Sequence, residues 1–129
     1  MNANLEEKFV NNFINASYRE RLLFELKTHK KRLKALMRFS HDIEKLVKVG
    51  SIISKSKIFD EKELKQFLKG NQFYVISLKY LDGKIMNIDE ILYHMYEEHL
   101  PVIICGDDVM VIKKEIEKGE NNFFFLNNK

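Results

Sequence analysis

Four polar side chains in the second half of the chain, Asp107, Asp108, His94 and His99, are of the types that acid–base or metal chemistry uses. An imidazole beside carboxylates can transfer a proton or help to hold a divalent cation. Either activity requires the four groups to surround one pocket, and the sequence leaves open whether they converge. We therefore assign no catalytic residue and rank an enzyme behind two other possible functions.

The triplet Gly106-Asp107-Asp108 lies between two apolar runs. Its spelling and its strand–turn–strand setting are similar to the metal-binding hairpin of palm-type polymerases. The chain is too short for a polymerase, and no second acidic strand motif precedes the triplet. Glycine and aspartate are favoured turn residues on local grounds alone, so we interpret these residues as a plain turn.

A second set of possible ligands lies on one predicted helix. Glu90, His94 and Glu98 follow one another at four-residue spacing, with Glu97 adjacent. At about 100° per residue the three share one helix face, but a metal site would also need ligands from another element. We expect a solvated acidic face here, with no metal site and no cofactor.

The single cysteine, Cys105, lies in the most apolar run of the chain. A nucleophilic thiol needs a lowered pKa and a nearby base, so we interpret Cys105 as an inert core residue. A single cysteine excludes an internal disulfide, which fits a reducing cytoplasm. The sequence also lacks the glycine-rich nucleotide loops and the G-x-S-x-G turn of serine hydrolases.

Basic residues are concentrated in the first part of the chain. Residues 1–57 contain 13 Lys/Arg against 6 Asp/Glu, a net charge of +7, whereas residues 58–129 contain 9 against 13, a net charge of −4. On an unbroken helix over residues 17–39, a cationic ridge lies opposite a core face that includes Leu33. The ridge consists of Lys27, Lys31, Lys34 and Arg38, with Lys30 nearby. The ridge predicts contact with nucleic-acid phosphates or another anionic partner. Alternatively, it is a solvated lysine face. The helix could also break at Thr28-His29.

Three consecutive phenylalanines, Phe123, Phe124 and Phe125, lie in a last predicted strand, which we place at the sheet edge. Alternate residues of a strand face opposite ways, so the three cannot all point into one core. Either both faces of the strand are covered or an apolar patch is exposed. An exposed patch predicts an interface for a protein partner or for self-association.

The elements that position these residues are organised around the apolar runs Val102–Cys105 and Val109–Ile112, which predict a hairpin. Neither run alternates apolar with polar residues, so we expect the hairpin in the middle of a sheet with both faces covered. Phe73–Leu81 is a further predicted strand, which turns at Asp82-Gly83. The pattern predicts an α+β fold in which N-terminal helices pack on a mostly antiparallel sheet from the C-terminal half, with a helix between strands.

Helix starts are predicted at three capping patterns, which begin at Ser17, Asp60 and Asn87.

We expect one domain over residues 1–129, with a possible seam near residues 50–57, where helices give way to strands and the charge changes sign. The apolar share of 45% and charged share of 32% are those of a soluble globular protein. No apolar stretch is long enough to span a bilayer and no secretory signal is apparent, so we expect a cytoplasmic protein. The abundance of Lys, Asn and Ile is typical of an AT-rich bacterial genome.

These observations favour a small non-enzymatic protein-interaction or regulatory module, of the antitoxin, immunity or adaptor type. Such a module binds a protein partner, or itself as a homodimer, through the C-terminal strands. The alternative is a nucleic-acid-binding protein that contacts phosphates with the basic helix from Lys27 to Arg38. Zinc-finger spacing and RNA-binding aromatic signatures are absent, so such binding would be led by the phosphate backbone.

Overall fold

The computed structural model describes residues 2–96 and 98–128, and it places helices first and strands later in the chain. The helices are α1 (Ala3–Phe13), α2 (Ala16–Lys27), α3 (Arg32–His41), α4 (Ile43–Leu46), α5 (Glu61–Phe67) and α6 (Ile88–Met95), and a 3-10 turn, His29–Lys31, joins α2 to α3. The strands are β1 (Ile52–Ser56), β2 (Phe73–Ile76), β3 (Ile85–Met86), β4 (Val102–Cys105), β5 (Val109–Lys113) and β6 (Phe123–Asn127). These elements confirm the predicted α+β fold.

The strands form one antiparallel sheet in the order β1-β6-β5-β4-β2-β3. The predicted hairpin β4–β5 lies in the middle of that order, with Cys105 opposite Met110 beside the connecting turn. Strand β1 occupies the segment in which we expected a seam, and it hydrogen-bonds to β6 at one edge of the sheet.

Both faces of the sheet are covered, as the purely apolar hairpin predicts. Helices α1 to α4 cover one face, toward which β4 turns Ile103 and Cys105. Helices α5 and α6 cover the opposite face, which receives Val102 and Ile104. Because alternate residues of the strand enter two different cores, the strand has no polar positions.

The phenylalanine strand β6 lies between β1 and β5, and our placement of it at the sheet edge is wrong. Phe123, Phe124 and Phe125 are only 1%, 7% and 2% exposed. Phe124 belongs to the core beneath the N-terminal helices, whereas Phe59 meets Phe123 edge to face on the other side. The structure therefore takes the alternative in which both faces are covered, and the three rings offer no exposed patch for the protein interface that we predicted.

The helix predicted over residues 17–39 breaks at Thr28. The backbone of Thr28 is extended, and its hydroxyl donates to the carbonyl of Phe24 at 2.8 Å. Helix α3 then begins at Arg32, which is buried, while Leu33 is exposed. Our placement of Leu33 in the core is therefore wrong, because the break changes which side of α3 faces the core.

Two of the three predicted helix caps are confirmed. The carboxylate of Asp60 accepts hydrogen bonds from two amides in the first turn of α5, and Asn87 Oδ1 accepts one from the amide of Glu90. Ser17 lies inside α2, which begins one residue earlier, so the cap predicted at Ser17 is wrong.

The strand predicted over Phe73–Leu81 is shorter, because β2 ends at Ile76 and a loop leads to β3. The carboxylate of Asp82 stabilises this loop by accepting a hydrogen bond from the amide of Ser77 at 3.0 Å. A turn does form at Asp82-Gly83, where the amide of Lys84 donates to the carbonyl of Leu81 at 3.3 Å, but it does not directly join two paired strands, so the predicted two-residue hairpin is wrong. Gly83 has a φ of +74°, which glycine adopts without a steric cost.

A buried arginine, Arg32, joins the N-terminal helices to the sheet. Its guanidinium donates hydrogen bonds to Glu6 at 2.7 and 2.6 Å and to Asp82 at 2.9 and 2.8 Å. It also donates to the carbonyl of Leu26, and Glu6 accepts a hydrogen bond from the hydroxyl of Tyr74 at 2.5 Å. The network thus connects α1, α2 and α3 with β2 and the loop that follows it.

The two carboxylates keep Arg32 charged. Burial by itself lowers the pKa of Arg32, but the hydrogen bonds and charges of Glu6 and Asp82 raise it above its usual value. Burial, followed by the hydrogen bond to Glu6, raises the pKa of Tyr74, so its hydroxyl remains a donor. A buried ion pair is strongly destabilising when one partner is removed, since the other charge stays in a medium of low polarity.

A second buried cation, Lys113, supports the segment that follows α6. Lys113 is 1% exposed, and its Nζ donates to the backbone carbonyls of Glu98 and Leu100. Burial lowers the pKa of Lys113 to about 8, although the charge of Glu98 opposes this change. The ammonium group therefore titrates in mildly alkaline solution.

We expect Arg32→Ala to lower the free energy of unfolding by roughly 3–5 kcal/mol, since the change leaves Glu6 buried without its cation. The measurement is urea unfolding followed by circular dichroism at pH 7. Arg21→Ala is the matched control, because the Arg21 side chain is 65% exposed, and it should change the same quantity by less than about 1 kcal/mol. Equal stability of the two variants would contradict the structural role of Arg32.

We expect the stability of the protein to rise with pH between about 8 and 10 because of Lys113. Its pKa is about 8 in the folded chain against an ordinary 10.5, so the unfolded chain binds more protons in this range and stability increases as they are released. Lys113→Met should remove roughly 1–3 kcal/mol of that rise. Urea unfolding from pH 7 to 10 measures it, with Lys114→Met as the control; a rise that persists in Lys113→Met would refute this assignment.

Candidate partner-binding site

The four polar residues considered for catalysis are not brought together. Asp107 and Asp108 form the exposed turn at one end of β4, whereas His99 precedes the other end. Strand β4 and its flanking residues separate them by roughly 20 Å at the usual rise of about 3.3 Å per residue. His94 lies on α6, where its ring contacts two tyrosine rings. The pocket that an enzyme built on these four residues would need is therefore not formed.

The possible ligands predicted on one helix do not all belong to α6. Glu90 belongs to the capped first turn of the helix. Glu98 lies beyond the last turn, where its carboxylate accepts a hydrogen bond from the amide of Leu100 at 3.2 Å. Glu97 lies outside the described residues. Glu90, His94 and Glu98 therefore do not share one helix face, which was the basis for considering them as ligands.

Cys105 is buried in β4 on the face that the N-terminal helices cover. Burial, and to a smaller extent the charge of Glu6, raise the pKa of the Cys105 thiol well above its usual value. An enclosed, protonated thiol is a poor nucleophile, in agreement with our interpretation of Cys105 as a core residue.

One cluster of possible metal ligands was missed in the sequence. His41 at the end of α3 and Glu115 and Glu117 after β5 place one ligand atom each within 4.8 Å of one another. His41 Nε2 lies 2.7 Å from Glu115 Oε1, across a sequence separation of 74 residues that no local pattern spans. The contact ties the end of α3 to the loop after β5.

The predicted cationic ridge is interrupted, because the 3-10 turn separates α2 from α3. Its two ends also have acidic neighbours. Arg38 Nε donates to Glu25 Oε1 at 2.8 Å, and Lys27 Nζ lies 4.0 Å from a carboxylate oxygen of Glu7. The charges of Arg38 and Lys27 are thus partly balanced within the chain.

The middle of the predicted ridge remains a basic surface. Lys30, Lys31 and Lys34 are exposed, as is the ring of Phe24. Lys31 Nζ lies 4.8 Å from the centroid of that ring. The three lysines and Phe24 form what we call the basic surface, on the side of the sheet that the N-terminal helices cover.

The second half of the chain exposes an aromatic surface that our sequence analysis missed. Tyr80, Tyr93 and Tyr96 are 61%, 80% and 67% exposed. His94 lies between two of them, with its ring centroid 4.6 Å from that of Tyr80 and 5.2 Å from that of Tyr93. We call Tyr80, Tyr93, His94 and Tyr96 the tyrosine surface.

Helix α6 exposes these rings because its other side belongs to the core. Ile91, Leu92 and Met95 are buried against the sheet. Tyr93 and Tyr96 are three residues apart and therefore neighbours on the remaining surface of the helix. The sequence pattern identified the inward residues of α6, so it could also have predicted that Tyr93 and Tyr96 are exposed. It could not have predicted that the Tyr80 ring lies beside the His94 ring, because Tyr80 belongs to a different segment.

A cavity of about 450 Å³ lies between α6 and the first turn of α5. It is lined by Glu61, Leu92, Tyr93, His94 and Tyr96. At the other end of the helix pair, Lys65 of α5 forms an ion pair with Asp89 of α6 at 2.8 Å, so the two helices run antiparallel. The buried side of α6 holds its wall of the cavity in place.

Carboxylates border the tyrosine surface. Glu61 lines the cavity of about 450 Å³, and Glu98 lines a smaller one of about 120 Å³ that His94, Tyr80 and Lys79 also border. Lys84 Nζ lies 3.2 Å from the centroid of the Tyr80 ring. One ring of the surface therefore already binds an ammonium group, which is the contact that the negative face of an aromatic ring favours.

Comparison of the chain with models of protein families, with curated proteins and with solved structures gave no significant match. Among the described helices, none combines the length and the apolar character needed to cross a membrane.

Proposed function

We propose that this chain is a non-enzymatic protein-interaction module and that the tyrosine surface is its contact surface. The observation that carries the proposal is that the His94 ring contacts the exposed rings of Tyr80 and Tyr93, and that His94, Tyr93 and the exposed Tyr96 line one cavity of about 450 Å³. Tyrosine is enriched in protein interfaces because its ring supplies contact area and its hydroxyl a hydrogen bond. Aromatic residues that fill pockets contribute most of the binding energy in many interfaces.

The rigidity of the supporting structure favours this proposal. Helix α6 is capped by Asn87, packed on the sheet through Ile91 and Met95, and joined to α5 by the ion pair between Lys65 and Asp89. A surface that is already ordered binds with a smaller loss of conformational entropy. The tyrosine surface is therefore better suited to recognition than a mobile loop of the same composition.

The partner that we propose presents a basic segment. Glu61 is the carboxylate in the lining of the larger cavity, Glu98 lines the smaller one together with Lys79, and residues 58–129 carry a net charge of −4. Complementary charge speeds association and orients the partner. A small regulator of the antitoxin, immunity or adaptor type would use a surface of this kind, and we propose a cytoplasmic setting, which the unpaired thiol of Cys105 supports.

Nucleic-acid binding is a second candidate function, which the basic surface favours. The exposed ring of Phe24 could stack on a base while Lys30, Lys31 and Lys34 contact phosphates. This surface and the tyrosine surface lie on opposite sides of the sheet. Substitutions can therefore separate the two functions.

We expect the double variant Tyr93→Ala/Tyr96→Ala to lose its protein ligand while remaining folded, because both side chains are largely exposed. The immobilised protein is incubated with an extract of the cells from which it comes, and retained proteins are quantified by mass spectrometry. Self-association is measured in parallel by analytical ultracentrifugation. A protein ligand, or a second copy, should bind the wild type at least tenfold more strongly than the double variant.

Two controls on the basic surface make the result specific. Phe24→Ala/Leu33→Ala removes two exposed apolar side chains from the other side of the sheet, and Lys31→Glu/Lys34→Glu reverses two charges there. Both controls should keep the ligand. The proposal is contradicted when no ligand depends on the tyrosines, and a salt-sensitive ligand lost only in the lysine variant would favour nucleic-acid binding.

A further inference from the structure

The cavity beside α6 has the composition of a receptor for a positively charged group. Tyr93, His94 and Tyr96 supply aromatic walls, Leu92 an apolar contact and Glu61 a carboxylate. The faces of aromatic rings attract cations because the ring quadrupole is negative there. We infer that this cavity binds the cationic end of an arginine or lysine side chain of the partner, an inference that rests on the proposed function.

The position of Glu61 supports this inference. Lys65, one turn along α5, is held by Asp89 at 2.8 Å. Among the described residues, no cation forms an ion pair with Glu61 within 4 Å, whereas Lys65 is paired with Asp89. The carboxylate of Glu61 is therefore available to a cation that enters the cavity it lines.

The backbone adds to the negative potential. The cavity includes Tyr93 and Tyr96 at the C-terminal end of α6, where the last carbonyl groups of a helix carry partial negative charge. The contact between Lys84 and Tyr80 on the same surface shows the geometry that an ammonium adopts over one of these rings. Ring faces, the carboxylate and the helix end thus all favour the same sign of charge.

Arginine fits this composition better than lysine. A guanidinium is planar, stacks on aromatic faces and pairs with a carboxylate through two hydrogen bonds, whereas an ammonium is more strongly hydrated. Tyr93 and Tyr96 provide aromatic rings in the lining and Glu61 provides the carboxylate. We therefore expect the cavity to bind arginine with the highest affinity, lysine with a lower affinity and an uncharged side chain with the lowest.

The test is a titration of ¹⁵N-labelled protein with N-acetyl-arginine methylamide, followed by two-dimensional NMR. The matched probe is N-acetyl-citrulline methylamide, which has nearly the same shape without the charge, and N-acetyl-lysine methylamide separates the two cations. Saturable shifts should appear at Leu92–Tyr96 and Glu61 with the arginine probe, with an affinity at least fivefold higher than with the citrulline probe.

Single substitutions assign the binding to the cavity. Glu61→Gln should weaken binding of the arginine probe at least threefold, and Tyr96→Ala at least fivefold. Glu63→Gln is the matched control, since it removes one carboxylate from the same turn of α5 without touching the cavity lining, and it should leave the affinity unchanged. Equal binding of arginine and citrulline probes, or an unchanged affinity in Glu61→Gln, would overturn the inference.

The outcome is distinguishable from a failure of the proposed function. When the arginine probe does not bind but capture of a protein still depends on Tyr93 and Tyr96, the inference about the cation is wrong and the interaction surface stands. When capture does not depend on the tyrosines, the proposed function is wrong, even if the cavity binds the arginine probe.

Discussion

The ion pairs of Arg32 with Glu6 and Asp82 are the interaction on which the arrangement of the chain depends. They join the first helix, the start of α3 and the loop after β2, which are far apart in sequence. Two carboxylates pair with a charge that would otherwise be costly to bury, and the hydroxyl of Tyr74 donates to one of them, Glu6. Arg32 is the first residue of α3, so the start of that helix is tied to α1 and to the loop after β2.

A central hairpin with two apolar faces imposes a second constraint. Each face must be covered, so the chain needs two helical layers on opposite sides of one sheet. The lysines of the basic surface lie on the N-terminal helices and the turn between them, and Tyr93 and Tyr96 lie on α6 in the other layer. The two candidate functions therefore occupy different sides of the molecule.

Sequence patterns predicted the structure correctly where the interacting residues are close together in the sequence. The turn between β4 and β5 and the caps at Asp60 and Asn87 involve residues within a few positions of one another. The same kind of signal failed at Ser17, which lies inside α2. At Asp82-Gly83 it located the turn but not the strand pairing around it, because the carboxylate of Asp82 also binds Arg32 and the amide of Ser77 in a longer loop between β2 and β3.

The sequence by itself determined the α+β class, the central hairpin and the inward side of α6, because periodicity and turn chemistry act over a few residues. Only the tertiary structure decided that Arg32 is buried, that the phenylalanine strand is interior, and that Glu61 meets Tyr93 and Tyr96 at one cavity. These features depend on which surfaces meet in space. Such contacts result from the packing of whole helices and strands, so the spacing of residues within one segment does not predict them.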